Sequence, residues 1–180
     1  MENYNYKLLG NCNVTNLKNK IDKLTEQDWL EHQLRQNLFE VHKHTNTLEI
    51  LWDIDSLNNN TVGKVHNNFF KLNIETFLKN IEPLYKNYYG SGYFIRVLIT
   101  KLKSNLIISP HIDKGNSLKD CKRTHIPIKT HPNCIFTIGG ETKHLKEGEI
   151  WEINNFQKEH SVENNSNEDR IHMILDYILY

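Results

Sequence analysis

From Tyr93 to its end, the 180-residue chain is a succession of short β-rich runs punctuated by turn residues. They read "YFIRVLITKL", "NLIIS", "THIPIKT", "CIFTI" before Gly139-Gly140, "EIWEI" before Asn154-Asn155, "HSV" before "ENNSNED", and "RIHMILDYIL". Several short strands at this spacing predict antiparallel pairing into a sandwich or small barrel. A small barrel has a mouth, and mouths are where ligands bind.

The first half is mixed. "LTEQDWLEHQLRQNLF" sets Trp29, Leu30, Leu34 and Leu38 at helical spacing behind Thr25 as N-cap, with Asp28 three residues on. "NTLEILWDID" alternates Leu48, Ile50, Trp52 and Ile54 on one face and reads as a strand. "LNIETFLKNIEPLYKNYYG" returns to helical spacing, with Asn73 as cap, Pro83 expected to kink or split the helix, and "GSG" at 90–92 ending it. The length fits a single domain over 1–180, with 1–92 as a helix-and-strand buttress and 93–180 as the β core.

A formal net charge of zero provides no field to gather nucleic acid or anionic lipid, so neither is expected as a partner. Cys12, Cys121 and Cys134 are odd in number and lack CxxC spacing, which argues against a disulfide framework and points to a reducing compartment. The N-terminal sequence has no basic-then-apolar leader pattern, and no apolar run reaches the roughly 18 residues of a membrane span. The expectation is a cytoplasmic protein, with nothing to set its oligomeric state.

The chemistry concentrates in "SPHIDKG" at 109–115, where His111 and Asp113 are two apart just after an apolar run. On a strand, residues i and i+2 share a face. His160 in "KEHSVEN" is a third candidate. Two neutral imidazoles and one carboxylate make the facial set of non-haem Fe(II) oxygenases, which leaves three adjacent positions open. Ten residues later, Arg170 begins the last run, from where a guanidinium can reach the same cavity and pair with a carboxylate that does not touch the metal. A diacid bound through its other end is the matching ligand. Arg123 and His125 in "RTHIPI" also share a face by parity and are candidates for a polar cluster around that acid. Taken singly, each of these residues reads equally well as a surface charge or an ion-pair partner. Their order along successive strands is what singles them out.

The set "SPHIDKG…RTHIPIKT…GEIWEINNFQKEHSVENNSNEDRIHMILD" resembles the aspartyl/asparaginyl β-hydroxylase family of Fe(II)- and 2-oxoglutarate-dependent dioxygenases, and less closely the bacterial proline hydroxylases. The strong similarity covers roughly residues 95–176. The resemblance implies a mainly β fold with flanking helices around a double-stranded β-helix (jelly-roll, cupin-like) core. It implies His111, Asp113 and His160 as metal ligands, Arg170 on the distal carboxylate of 2-oxoglutarate, and Arg123 and His125 as its support. Val162 and Asn164 of "HSVEN" match packing or supporting positions. The implied reaction consumes O2 and 2-oxoglutarate, releases succinate and CO2, and hydroxylates an Asp, Asn or Pro residue in a protein or peptide, or a free amino acid. The animal aspartyl/asparaginyl hydroxylase lacks the carboxylate ligand that Asp113 represents, so this chain looks more like the bacterial and viral branches, and a substrate cannot be borrowed from the animal enzyme.

Other polar residues carry plainer expectations. His172 shares the parity of Arg170 and reads as a pocket residue or a hydrogen-bonded core histidine. Arg96 interrupts an apolar strand and faces either the interior, as a carboxylate partner, or outward. His42, His44, His66, His131 and His144 are expected to be surface or structural, and Trp151 to be core. Two other classes compete with an oxygenase: a non-catalytic barrel holding a metal or small acid, and a metal-dependent cupin enzyme of another reaction type, which would not need Arg170 and Arg123.

Overall fold

The computed structural model describes residues 4–31 and 33–180. The first half runs β1 (Tyr6–Asn11), α1 (Thr15–Ile21), α2 (Glu26–Leu30), α3 (Leu34–Leu38), β2 (Thr45–Leu51), α4 (Ile54–Asn58), α5 (Asn67–Lys71) and α6 (Ile74–Tyr89). The second half is β3 (Gly92–Leu102), β4 (Ile107–His111), β5 (Lys122–Lys129), β6 (Cys134–Ile138), β7 (Glu141–Lys143), β8 (Glu149–Ile153), β9 (His160–Asn164) and β10 (Arg170–Leu179).

These strands form two antiparallel sheets, one ordered β1-β8-β5-β10-β3-β2 and the other β4-β9-β6-β7. Strands β3 to β10 wind back and forth between the sheets, which is the double-stranded β-helix the motifs implied. The chain's first half supplies both edge strands of the larger sheet, so residues 1–92 extend the sheet as well as buttress it.

Alternation along β10 sets the architecture. Ile171, Met173, Leu175 and Tyr177 point to one face, where they join Leu48, Ile50, Val97, Ile99, Ile126 and Ile128 in the main core. Helix α6 covers that face with Ile74, Ile81 and Tyr85, spaced so that all three lie on one stripe. Arg170, His172 and Asp176 alternate with these and leave the opposite face, between the sheets. A second core of Leu102, Ile108, Phe136, Ile138 and Val162 closes the far end of that interior.

Several local expectations are corrected. The helix predicted over 25–38 is two short helices, α2 and α3; His32, within that stretch, lies outside the described residues. Thr25 does cap α2, in a reciprocal capping box with Asp28. The strand read over "NTLEILWDID" stops at Leu51, after a register shift between Glu49 and Leu51, and Ile54 opens α4 behind an Asp53 cap. Pro83 does not split α6: it sits on the exposed side, where water can satisfy the carbonyl its missing N–H leaves free. Asn73 precedes α6 with φ 56 and no side-chain cap bond, whereas Gly90 ends the helix at φ 100 as the spacing predicted. Strand β7 went unread, because three polar residues carry no alternation. Among the described residues, no helix is long and apolar enough to cross a membrane.

Gly92 begins β3 against the end of β10, where an added Cβ would run into the Ile178 carbonyl. Gly92→Ala is expected to lower stability by about 1–3 kcal/mol through forced strand separation. An unchanged urea midpoint would show that the two strands can part there without cost.

Candidate active site

The paired strands β4 and β9 bring His111 opposite His160 in register. Their rings lie 4.1 Å apart between centroids. Asp113 arrives differently from the expected strand parity, because β4 ends at His111 and the aspartate sits in the loop beyond. That loop is clamped twice to Asn155: the Asp113 N–H donates to the Asn155 carbonyl at 3.0 Å, and Asn155 Nδ2 donates to Asp113 Oδ2 at 2.5 Å. Asp113 Oδ1 then faces His111 Nε2 at 3.4 Å and His160 Nε2 at 3.9 Å. Donors on adjacent corners of an octahedron with bonds of about 2.1 Å sit about 3 Å apart, so this trio is close to metal-ready spacing.

Protonation is set locally. His111 Nδ1 lies 2.8 Å from the Ser109 carbonyl, which can only accept, so Nδ1 carries the proton and the neutral ring keeps its lone pair on Nε2. That Nε2 is buried without a hydrogen-bond partner among the described residues. Burial pushes the His160 imidazole down to about 4, with Asp113 pulling the other way, so it is neutral near pH 7. For the Asp113 carboxyl, burial would raise the pKa, but the Arg123 guanidinium and the Asn155 amide bonded to it help hold it well below the usual carboxylate range.

Behind Asp113 lies a buried ladder of alternating charge. Arg123 Nη1 donates to Asp113 Oδ2 at 2.7 Å, while its Nε and Nη2 grip the two oxygens of Asp176 at 2.7 Å each. Asp176 also receives Arg96 Nε at 2.5 Å. Arg96 reaches on to the Ser56 carbonyl and, at 2.7 Å, to Ser117 Oγ. Register places these residues side by side, since Asp176 pairs with Arg96 on β3 and Arg123 on β5. Arg96 therefore faces inward but is fully engaged by protein groups, and Arg123 serves the metal side of the site.

Arg170 lies at the opposite end of an inner chamber shared with His111, Asp113, His125, His160 and Thr100. It is buried, stacks over Phe136 at 5.6 Å, and donates from Nη2 to His172 Nδ1 at 2.6 Å. His172 is thus the hydrogen-bonded core histidine of the two readings. No carboxylate pairs with Arg170 among the described residues, and burial pulls its pKa down to about 9. His125 packs edge-on to Phe136, its Nδ1 buried and unpartnered. Val162 belongs to the second core, and Asn164 directs its amide at the carbonyls of Leu102, Lys103 and Glu168, fixing the turn from which Arg170 emerges.

Asp176 and Asn155 were not singled out in the sequence, nor were His42 and Arg35 as parts of this centre. His42, expected to be surface or structural, is buried 5.5 Å from the His111 ring, and His42, His111 and Asp113 offer atoms within 4.8 Å of one another. It is nonetheless unsuited as a ligand. Arg35 Nη2 lies 2.7 Å from His42 Nε2 and can only donate, so that nitrogen's lone pair is taken and the proton sits on Nδ1. Arg35 itself is buried although α3 reads as amphipathic in the other sense: Leu34 and Leu38 are each 49% exposed while Arg35 is 9%.

The interleaved sheets form a double-stranded β-helix, inside which the side chains of His111, Asp113 and His160 converge. A model of the aspartyl/asparaginyl β-hydroxylase family matches residues 17–179, and the chain belongs to that family. Membership makes it a hydroxylase in class, without fixing what it hydroxylates. No curated protein sequence matches it. Among solved structures, it is similar to an oxidoreductase of the 2OG-Fe(II) oxygenase family from Burkholderia pseudomallei, with 11% identity over 94% of this chain and 91% of that one and a TM-score of 0.59. It is also similar to a Pseudomonas putida prolyl-4-hydroxylase, with 9% identity, coverage of 99% and 94%, and a TM-score of 0.60. A third likeness is to the collagen prolyl hydroxylase of Paramecium bursaria Chlorella virus-1, with 9% identity, coverage of 99% and 97%, and a TM-score of 0.55. At such identities these likenesses concern the fold.

Asp176 is the test of the charge ladder. Asp176→Asn leaves two buried guanidiniums short of their counter-charge and is expected to cost about 3–5 kcal/mol in urea unfolding. Burial would raise this carboxyl, but Arg123 and Arg96 outweigh it and hold it at about 2. Its unfolded value is about 3.9, so its stabilisation is complete above that pH and is lost as pH falls toward 2. The wild type should therefore lose stability across that window and Asp176→Asn much less; parallel acid curves would refute the ladder's role.

Proposed function

We propose that the chain is an Fe(II)- and 2-oxoglutarate-dependent dioxygenase that hydroxylates an amino-acid residue of the Asp/Asn or Pro type, free or in a peptide. His111, Asp113 and His160 would hold the iron, and Arg170 the far carboxylate of 2-oxoglutarate. The observation that carries this is the convergence of Asp113 Oδ1 on two imidazole Nε2 atoms at 3.4 and 3.9 Å. With both rings in the Nδ1–H tautomer those would be three lone pairs facing one another, an arrangement that a cation between them would relieve. Arg170 supports the second half of the reading: a buried guanidinium with no carboxylate partner among the described residues calls for an anionic guest. The chamber before it, ≈ 30 Å³, has room for about two waters or one carboxylate group.

When bound, the iron and 2-oxoglutarate supply the oxidation: O2 is consumed, 2-oxoglutarate becomes succinate and CO2, and the substrate gains a hydroxyl group. The chain's residues provide the setting. Ser109 orients His111, Arg123 and Asn155 occupy one oxygen of Asp113 so that the other is presented, and His172 aims Arg170. His125 completes the polar wall beside Arg170. The three cysteines are free thiols, in keeping with a reducing, cytoplasmic setting.

Anaerobic titration of the apoprotein with Fe(II) and then 2-oxoglutarate should produce the visible charge-transfer band of the chelate, and His160→Ala should abolish it. Arg170→Ala should raise the 2-oxoglutarate concentration needed by about 10- to 100-fold. A folded wild type that gives no band would end this reading and favour a binding module; a band without substrate-linked succinate formation would do the same for turnover.

A further inference from the structure

Beside the inner chamber lies a larger outer cavity of ≈ 320 Å³, within the range of small-molecule sites. His111 and Asp113 line both, so a guest in the outer cavity sits directly against the proposed metal ligands. Its wall is mostly apolar, including Leu38, Phe39, Trp52, Leu98 and Ile174. Arg35 breaks that apolar surface, as do Glu40, Lys114 and Arg123, and Arg35 and Arg123 line the inner chamber as well.

The surroundings of Arg35 are incomplete. Its hydrogen-bond partner among the described residues is the imidazole of His42, and no carboxylate pairs with it. Asp113 and Asp176, the buried acids of this interior, are committed to Arg123 and Arg96. Because His42 accepts from Arg35 through Nε2, its Nδ1–H is left as a second donor, buried and unpartnered. A guanidinium bonded to an imidazole and to no carboxylate, with Asp113 and Asp176 acting on it only through space, thus stands beside a cavity large enough for a small organic acid. Burying a cation in this way is costly unless an anion joins it.

We propose that the outer cavity is the substrate site and that Arg35, held from behind by His42, grips a carboxylate of a small acid whose apolar body lies against Leu38, Phe39 and Trp52. The substrate class this assigns is a free acid or amino acid with an apolar side chain. A residue inside a polypeptide has no backbone carboxylate to offer, so the site disfavours internal positions. The proposal rests on the hydroxylase reading for what happens to the acid, not for its binding.

The probes are hexanoate and L-leucine, with hexanamide and L-leucinamide as counterparts that lack the carboxylate, and a leucine-terminated tripeptide to separate a chain-terminal carboxylate from a free acid. Binding is followed by ligand-observed NMR and by fluorescence of the chain's tryptophans, among them Trp52 in the cavity wall, with Fe(II) and 2-oxoglutarate present and again without them. Both free acids should bind the wild type at least tenfold more tightly than their amides and more tightly than the tripeptide. Arg35→Met should lower acid affinity by about 10- to 100-fold and leave the amides unchanged, while Arg35→Lys restores part of the preference. Equal binding of acids and amides by the wild type overturns the proposal whatever the variants do, as does unchanged acid affinity in Arg35→Met. Tighter binding of the tripeptide overturns the free-acid assignment. A chelate band without acid preference refutes this inference alone, and acid preference without a band refutes the hydroxylase reading alone.

Discussion

The interaction on which the site depends is the buried ladder Asp113–Arg123–Asp176–Arg96. A carboxylate presented to a metal must expose one oxygen and withhold the other, and it must do so in a largely water-free interior. Arg123 and Asn155 accomplish the withholding at Asp113, but a guanidinium cannot be buried on one carboxylate alone when that carboxylate also serves a cation. Asp176 supplies the second acid, and Arg96 balances Asp176 in turn. Three adjacent strands are needed to line these groups up, so the register of β3, β10 and β5 and the orientation of a loop residue outside the sheet are one problem.

Much of this was legible because strands report their faces. In "RIHMILDY", the alternation of Arg170, His172 and Asp176 with Ile171, Met173 and Tyr177 shows which side meets the core, and Arg123 with His125 repeats it on β5. The His111 and His160 pairing followed from the order of runs, although Asp113 lies past the end of its strand. Helix α3 was illegible for a physical reason. Its leucines are half exposed and its arginine buried, so the rule that apolar residues mark the inner face points the wrong way. Helical periodicity carries no warning of such an inversion, and His42 in the turn that follows had no periodicity to read.

Charge in the interior is unevenly balanced. The ladder cancels pairwise, while Arg170 and Arg35 remain as two cations without acidic partners among the described residues. Before any guest arrives, the chamber is therefore short of negative charge. On the proposed reading a diacid neutralises Arg170 and eases entry of a divalent metal, and the metal in turn strengthens the hold on the diacid. Such coupling is reciprocal by linkage.

The ladder's last rung bears on how a family like this can diverge. Arg96 ends on the main-chain oxygen of Ser56, in α4 of the first half, as well as on a serine hydroxyl. Every amino acid carries that oxygen, so the contact places no demand on which residue stands at position 56. A segment can anchor the ladder's carboxylates through its backbone path alone while its letters drift.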